Sequence, residues 1–249
     1  MMQPGTDSDL QADFDRIARL DDDGWDHNSH YHGYLLDRVP SPCAEALEIG
    51  CGAGEFSRLL ARKANRVLAL DLSPEMIQVA QERSQSYGNI DYRAVDVMKW
   101  LFPERRYDCV VSIATLHHLP LDAILYKMRE SVRPGGVLLV LDLYRAEAAS
   151  DFLVSAIAVL VNAVLSLVRT GRIRQRSELR AAWDEHGQHD IYPTLAEVRH
   201  VCHHLLPGAR VRRHLLWRYS IIWRRTELGA QLIENPAGLP HPFIDHVRV

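Results

Sequence analysis

Two clusters of residues in this 249-residue chain carry chemistry. The first is Glu48-Ile49-Gly50-Cys51-Gly52-Ala53-Gly54-Glu55, followed by Asp71 and then Asp96. Glycines between a strand and a helix let the backbone approach a ligand closely, and an acid about 20 residues on can hold ribose hydroxyls. The second is His117-His118, with Asp142 on the next strand. Imidazole, with an unperturbed pKa of about 6.5, suits proton removal near neutral pH, and a carboxylate behind it orients the ring and stabilises its charged form. The first cluster reads as a nucleoside site and the second as an acid–base site.

Charge separates the cofactors that a glycine loop can serve. A dinucleotide places a pyrophosphate at the helix N-terminus, where the flanking Glu48 and Glu55 would oppose it. The same acids suit a ligand carrying an ammonium and a sulfonium. Asp96 could accept a hydrogen bond from an adenine amino group. A nicotinamide-dependent oxidoreductase is therefore the weaker reading.

The elements that must position these residues are legible in the pattern. Short strands are expected at 46–49, 66–70, 90–94, 107–113 and 137–141, alternating with helices at 56–63, from Ser73-Pro74-Glu75 onward, and at 121–132. Ser73 is the N-cap of the second of these, with Pro74 at its first position. Apolar runs of this length between helices indicate a parallel α/β sheet covered on both faces. Residues 9–20 and 29–39 read as helices ahead of it. Thr194-Leu195-Ala196-Glu197 is a capping box opening a helix that ends near Pro207-Gly208. Residues 210–216 and 219–225 read as a hairpin.

At this point the sequence resembles the class I S-adenosylmethionine-dependent methyltransferases. ALEIGCGAGEFSRLLA, LALDLSPEMI and AVDV are similar to their first three motifs, and YDCVVSIATLHHL and RPGGVLLVLDL to those of the fourth and fifth strands. The match covers roughly residues 44–143 and is nearest to the small-molecule branch that includes ubiquinone and menaquinone biosynthesis. The resemblance implies a Rossmann-like, doubly wound sheet of seven strands, mostly parallel with a C-terminal antiparallel hairpin. It implies residues 1–43 closing over the cofactor and a catalytic domain at 44–225. A helical insertion at about 146–206 and a tail at 226–249 complete the expected plan. The cofactor is S-adenosylmethionine, the product S-adenosylhomocysteine. By resemblance Glu48, Gly50, Cys51 and Gly52 surround the methionine part, Asp71 the ribose, Leu72 and Met76 the adenine faces, and Asp96 and Val97 its polar edge. Ser112 and Ile113 line the pocket from the fourth strand, and Tyr31 belongs to the N-terminal cover, as do His27, Asn28 and His30.

The loop after the fourth strand lacks the Asn/Asp-Pro-Pro-Tyr, paired-glutamate and Pro-Cys motifs of amino-, arginine- and cytosine-methylating enzymes. It also lacks the acids of magnesium-dependent catechol enzymes, so no metal is expected. His117, His118 and Asp142 remain, and point to methylation of a hydroxyl on a small, largely apolar acceptor, with His117 the preferred base. His118 could instead cap the following helix. C-methylation of a quinone or lipid-like substrate is one alternative, and a catalytically silent cofactor-binding partner protein is another.

Composition frames this reading. Hydrophobic residues make up 47% and charged residues 24%, enough apolar content for a sizeable core. Residues 1–150 carry 16 Lys and Arg against 23 Asp and Glu; residues 151–249 carry 13 against 9, all 13 being Arg. An acidic half and a basic half suggest different tasks, although arginines alternating with apolar residues more often mark a solvated face than nucleic-acid binding. Cys43, Cys51, Cys109 and Cys202 form no C-x-x-C pair, which points to a reducing compartment. The polar, acidic start shows no signal peptide, so a cytoplasmic enzyme, monomer or homodimer, is expected. His200, His203 and His204 share helical spacing without a carboxylate to complete a zinc motif. Residues 152–168, apolar but for Ser155, Asn162 and Ser166, read as a substrate lid in preference to a membrane contact.

Overall fold

A computed structural model describes residues 7–20, 28–145, 192–215 and 217–226. The expected lid at 152–168, His27 and the tail from 227 lie outside these residues. Seven strands form one sheet: β1 (Cys43–Ile49), β2 (Ala64–Asp71), β3 (Ile90–Ala94), β4 (Tyr107–Ile113), β5 (Val132–Leu143), β6 (Arg210–Arg213) and β7 (Arg218–Arg224). Their order is β3-β2-β1-β4-β5-β7-β6. The first five run parallel, and β7 pairs antiparallel with both β5 and β6. This is the expected Rossmann-like sheet with its closing hairpin.

The central strands are buried on both faces, which is why they read as continuous apolar runs. Val110, Val111, Leu138, Leu139, Val140 and Leu141 have no exposed surface. Each such side chain contributes roughly 1.5–3 kcal/mol by leaving water. Alternation along β1 assigns its residues to two cores: Ala46 to one, Leu47 and Ile49 to the other. Glu48 therefore shares the Ala46 face, which lies beneath α3 (Glu55–Leu60).

Helix α1 (Asp7–Leu20) buries Ile17 and Ala18 against Met76 of α4 (Pro74–Arg83) and packs near Ala53 of the glycine loop. The expected 29–39 helix is instead a 3-10 turn at Ser29–Tyr31 and a five-residue helix α2 (His32–Leu36). The expected 56–63 helix also stops early, because residues 61–63 turn directly into β2. Conversely β5 begins at Val132 and includes the Arg-Pro-Gly-Gly stretch, where Gly135 N–H and Gly136 C=O pair with Arg225. On the other face α5 (Leu121–Ser131) buries Ile124, Leu125 and Met128 completely. Beside it lies α6 (Leu195–Leu205), opened by the predicted capping box, with Thr194 and Glu197 bonding reciprocally. All four cysteines are free and buried.

The strand order reverses between β1 and β4, where open α/β sheets bind their ligands. The glycine loop follows β1 and the histidine loop follows β4. Topology thus brings the two sequence clusters to one place.

Candidate active site

The glycine loop folds back over the end of β2, where Gly50 N–H and Cys51 N–H both donate to Leu70 C=O, at 2.8 and 3.0 Å. Two of its glycines are required for different reasons. Gly50 has φ +71°, and a Cβ there would lie 1.9 Å from Thr115 Oγ1 of the histidine loop. Gly52 has φ +49°, and a Cβ there would meet nothing within 4 Å among the described residues. The first lets the two loops abut; the second faces open space, as a backbone that must receive a ligand should.

Asp71 ties this loop to the next helix. Its Oδ2 accepts from Gly52 N–H at 2.8 Å and its Oδ1 from Ser73 N–H at 3.0 Å. Burial pushes its carboxyl upward, against the lowering effect of these amides. Ser73 caps α4 through Met76 N–H and donates its hydroxyl to Asp15 of α1. Glu48 is 2% exposed, and Ser57 Oγ donates to its Oε2 at 2.5 Å. Burial raises its pKa to about 8; the Ser57 hydrogen bond opposes this and Asp71 adds to it. Burial also pushes the Cys51 thiol well up, and its Sγ turns to Gly52 C=O.

The third acid sits on the loop after β3. Asp96 Oδ1 accepts from Met98 N–H at 2.9 Å, and Oδ2 pairs with Lys99 Nζ at 2.8 Å. Burial pulls its pKa up, but Lys99 and the Met98 amide outweigh this and hold it low. Val97 N–H has no acceptor among the described residues. Leu72 is partly exposed and Met76 is buried beneath α1. Ser112 is fully buried with its hydroxyl on Ile49 C=O at 2.9 Å, while the neighbouring Ile113 is partly exposed.

On the acceptor side, β4 is followed by Ala114 at φ +49° and a 3-10 turn, Leu116–His118. His117 Nδ1 lies 2.6 Å from Asp142 Oδ1, and His117 N–H donates to Asp142 Oδ2 at 3.0 Å. Leu143 N–H also donates to Oδ1, at 2.7 Å. The Asp142 side chain is fully buried and that of His117 is 5% exposed. With Nδ1 donating to the carboxylate, Nε2 is the basic nitrogen. His118 stacks beside His117 with ring centroids 3.9 Å apart, and meets Phe14 of α1 edge-on. It does not cap the following helix: the N-cap of α5 is Pro120, with no side-chain bond. Tyr192 packs against the His117 ring at 5.1 Å.

Tyr31 lies with the hairpin, donating to Leu215 C=O at 2.9 Å, while Asn28 accepts from Arg218 Nε at 2.8 Å. These bonds anchor the N-terminal turn to β7. Sequence reasoning missed Ser57, Thr115, Phe14 and Tyr192. None belongs to a spacing pattern, and each is located by tertiary packing alone. Among the described residues no group of three or more His, Cys, Asp or Glu is arranged to hold a metal ion. No helix among them is long and apolar enough to cross a membrane.

Gly52, Asp71, Asp96 and a Val97 N–H without an acceptor among the described residues stand at the carboxyl edge of the sheet, where open α/β sheets bind their ligands. Comparison with known proteins identifies the family. Residues 46–136 match a family described as a methyltransferase domain. An uncharacterized methyltransferase of Mycobacterium bovis is 30% identical over 207 residues, covering 82% of this chain and 98% of the relative. The ubiquinone biosynthesis O-methyltransferase of Xanthomonas campestris is 33% identical over 153 residues, covering 56% of this chain and 64% of that enzyme. In fold, the chain is similar to the N-methyltransferase NodS of Bradyrhizobium japonicum, solved with S-adenosylhomocysteine. The TM-score is 0.60 at 19% identity, with 87% of this chain and 98% of NodS covered. The chain belongs to the class I S-adenosylmethionine-dependent methyltransferases.

Proposed function

We propose that this methyltransferase acts on a hydroxyl of a small, planar, largely apolar acceptor, with His117 as general base. The observation that carries this is the His117–Asp142 pair, at 2.6 Å, on a loop that abuts Gly50 through Thr115. Bound S-adenosylmethionine supplies an electrophilic methyl on a sulfonium centre. The chain's residues supply placement: Asp71 for the ribose hydroxyls, Asp96 and Val97 for the polar edge of the adenine, and Glu48, which must give up its proton as the cation arrives, for the cationic end. At the acceptor, His117 Nε2 takes the hydroxyl proton as the oxygen attacks, and Asp142, already bound to Nδ1, stabilises the imidazolium that forms. In-line alignment supplies much of the remaining rate.

Edge-on and tilted contacts link Phe14 to His118, His118 to His117 and His117 to Tyr192, and such aromatic surface suits a planar acceptor. The chain's similarity to a ubiquinone biosynthesis O-methyltransferase supports methylation at oxygen. Incubation with S-adenosylmethionine and a panel of catechols and phenols, followed by mass spectrometry and NMR of products, tests this. A methyl ether is expected. Products methylated only at carbon or nitrogen, or none with phenols while amines react, would overturn it.

A further inference from the structure

Lys127 belongs to α5, yet its ammonium reaches away from that helix to one loop. Its Nζ lies 3.2, 2.5 and 3.3 Å from the carbonyl oxygens of Val97, Met98 and Trp100. The side chain is half-buried, with the ring of Phe102 5.4 Å away. No carboxylate pairs with it among the described residues. An ammonium has three donors, and here all three go to carbonyls of a single irregular stretch.

That stretch is irregular and is held from two sides. After β3 the chain makes no regular element before β4. Asp96 closes the near end, its C=O accepting from Lys99 and Trp100 N–H and its carboxylate from Met98 N–H. Beyond that, Trp100 and Phe102 pack against each other and the core. Lys127 adds a hold on the carbonyl side of this turn, at Val97, Met98 and Trp100, where Asp96 holds the amide side. Val97 N–H, which has no partner among the described residues, shares its peptide plane with Asp96 C=O, and the turn that supplies the two bonds to that carbonyl is the one whose carbonyls Lys127 gathers.

We infer that Lys127 is a positioning residue for adenine recognition: by gathering the Val97, Met98 and Trp100 carbonyls it aims the Asp96 carboxylate and the Val97 amide at the base. This rests on the adenine placement proposed above. Adenine offers an amino donor to Asp96 and a ring-nitrogen acceptor to Val97 N–H. Hypoxanthine reverses both, presenting a carbonyl oxygen and an N–H. A rigid loop discriminates between them, whereas a loosened loop readjusts.

The test is calorimetric titration of S-adenosylhomocysteine and S-inosylhomocysteine into wild type, Lys127→Met and Asp96→Ala, with unfolding temperatures measured alongside. Wild type should prefer the adenine ligand by about 100-fold, as mismatched buried hydrogen-bonding groups demand. Lys127→Met should cut that preference by about tenfold, mostly through weaker adenine binding. A simple loss of stability would weaken both ligands alike and leave the ratio unchanged, and that result overturns the inference, as does no change in either affinity. If Lys127→Met does not fold, Lys127→Gln, which keeps a shorter stem and two donors, is judged by the same ratio. An Asp96→Ala variant that still discriminates like wild type would show the adenine placement itself to be wrong. Discrimination lost in Asp96→Ala but kept in the Lys127 variant would reject Lys127 alone.

Discussion

Substituting Glu48 by Gln should make the protein more stable at alkaline pH, and by an amount that depends on pH. Glu48 is buried under α3 with its Oε2 on Ser57 Oγ, and Gln keeps an oxygen for that hydroxyl. Its carboxyl rises from 4.5 to about 8, chiefly because burial penalises the charge. For a group raised on folding, the stabilisation is complete below the unfolded pKa and lost as pH climbs through the folded one. Each pH unit in that window is worth ~1.4 kcal/mol, so wild type should lose ~3 kcal/mol relative to Glu48→Gln between pH 5.5 and 8.5. In a domain of this size that corresponds to roughly 6–12 °C in unfolding temperature. Thermal and urea unfolding of both proteins, ligand-free, across this range is the assay. A stability difference that stays constant with pH would refute the reasoning, since it would mean that Glu48 is already ionised in the fold at pH 5.5.

Other substitutions separate fold from binding. Asp71→Ala removes a carboxylate that accepts from Gly52 and Ser73 N–H and should weaken S-adenosylhomocysteine binding by ~2–4 kcal/mol, roughly 30- to 1000-fold by calorimetry. Binding within about threefold of wild type would remove Asp71 from the ribose site. Gly50→Ala, whose Cβ would collide with Thr115, should cost ~2–4 kcal/mol of stability in urea unfolding. Gly52→Ala meets no protein atom, so it should cost only the ~1–2 kcal/mol of its positive φ yet weaken ligand binding; equal effects of the two on stability would contradict the contrast.

The sheet and both site loops were legible because periodicity and glycine placement report on backbone. Residues 90–94 and 107–113 form β3 and β4 with the expected bounds. Where sequence reading failed, tertiary contacts had overridden it. The 29–39 stretch has helical composition, but Tyr31, Asn28 and Tyr34 are drawn onto the hairpin and break it into a turn and a short helix. The Arg-Pro-Gly-Gly run looks like a strand stop, yet Arg225 pairs with both glycines and extends β5 backwards. In the site, the types and order of Glu48, Asp71, Asp96, His117 and Asp142 were readable, but their partners were not. Ser57 reaches Glu48 from the helix above it, while Thr115 against Gly50 and Tyr192 against His117 come from distant stretches and meet only through packing. Which of the two histidines contacts Asp142 was likewise decided by the 3-10 turn, which directs His117 inward and His118 onto Phe14.

The claim that His117, held by Asp142, removes the acceptor proton is tested most directly by comparing chemistry and binding in His117→Ala. With a phenol that wild type methylates, kcat should fall by ~10²–10⁴, the worth of a lost general base, and the limb of the pH–rate profile set by imidazole should disappear. The Kd for S-adenosylhomocysteine should stay within about threefold of wild type, because His117 bonds to Asp142 and not to the glycine loop. A wild-type rate with the pH profile intact would contradict the account, leaving orientation alone, or another group, to activate the hydroxyl.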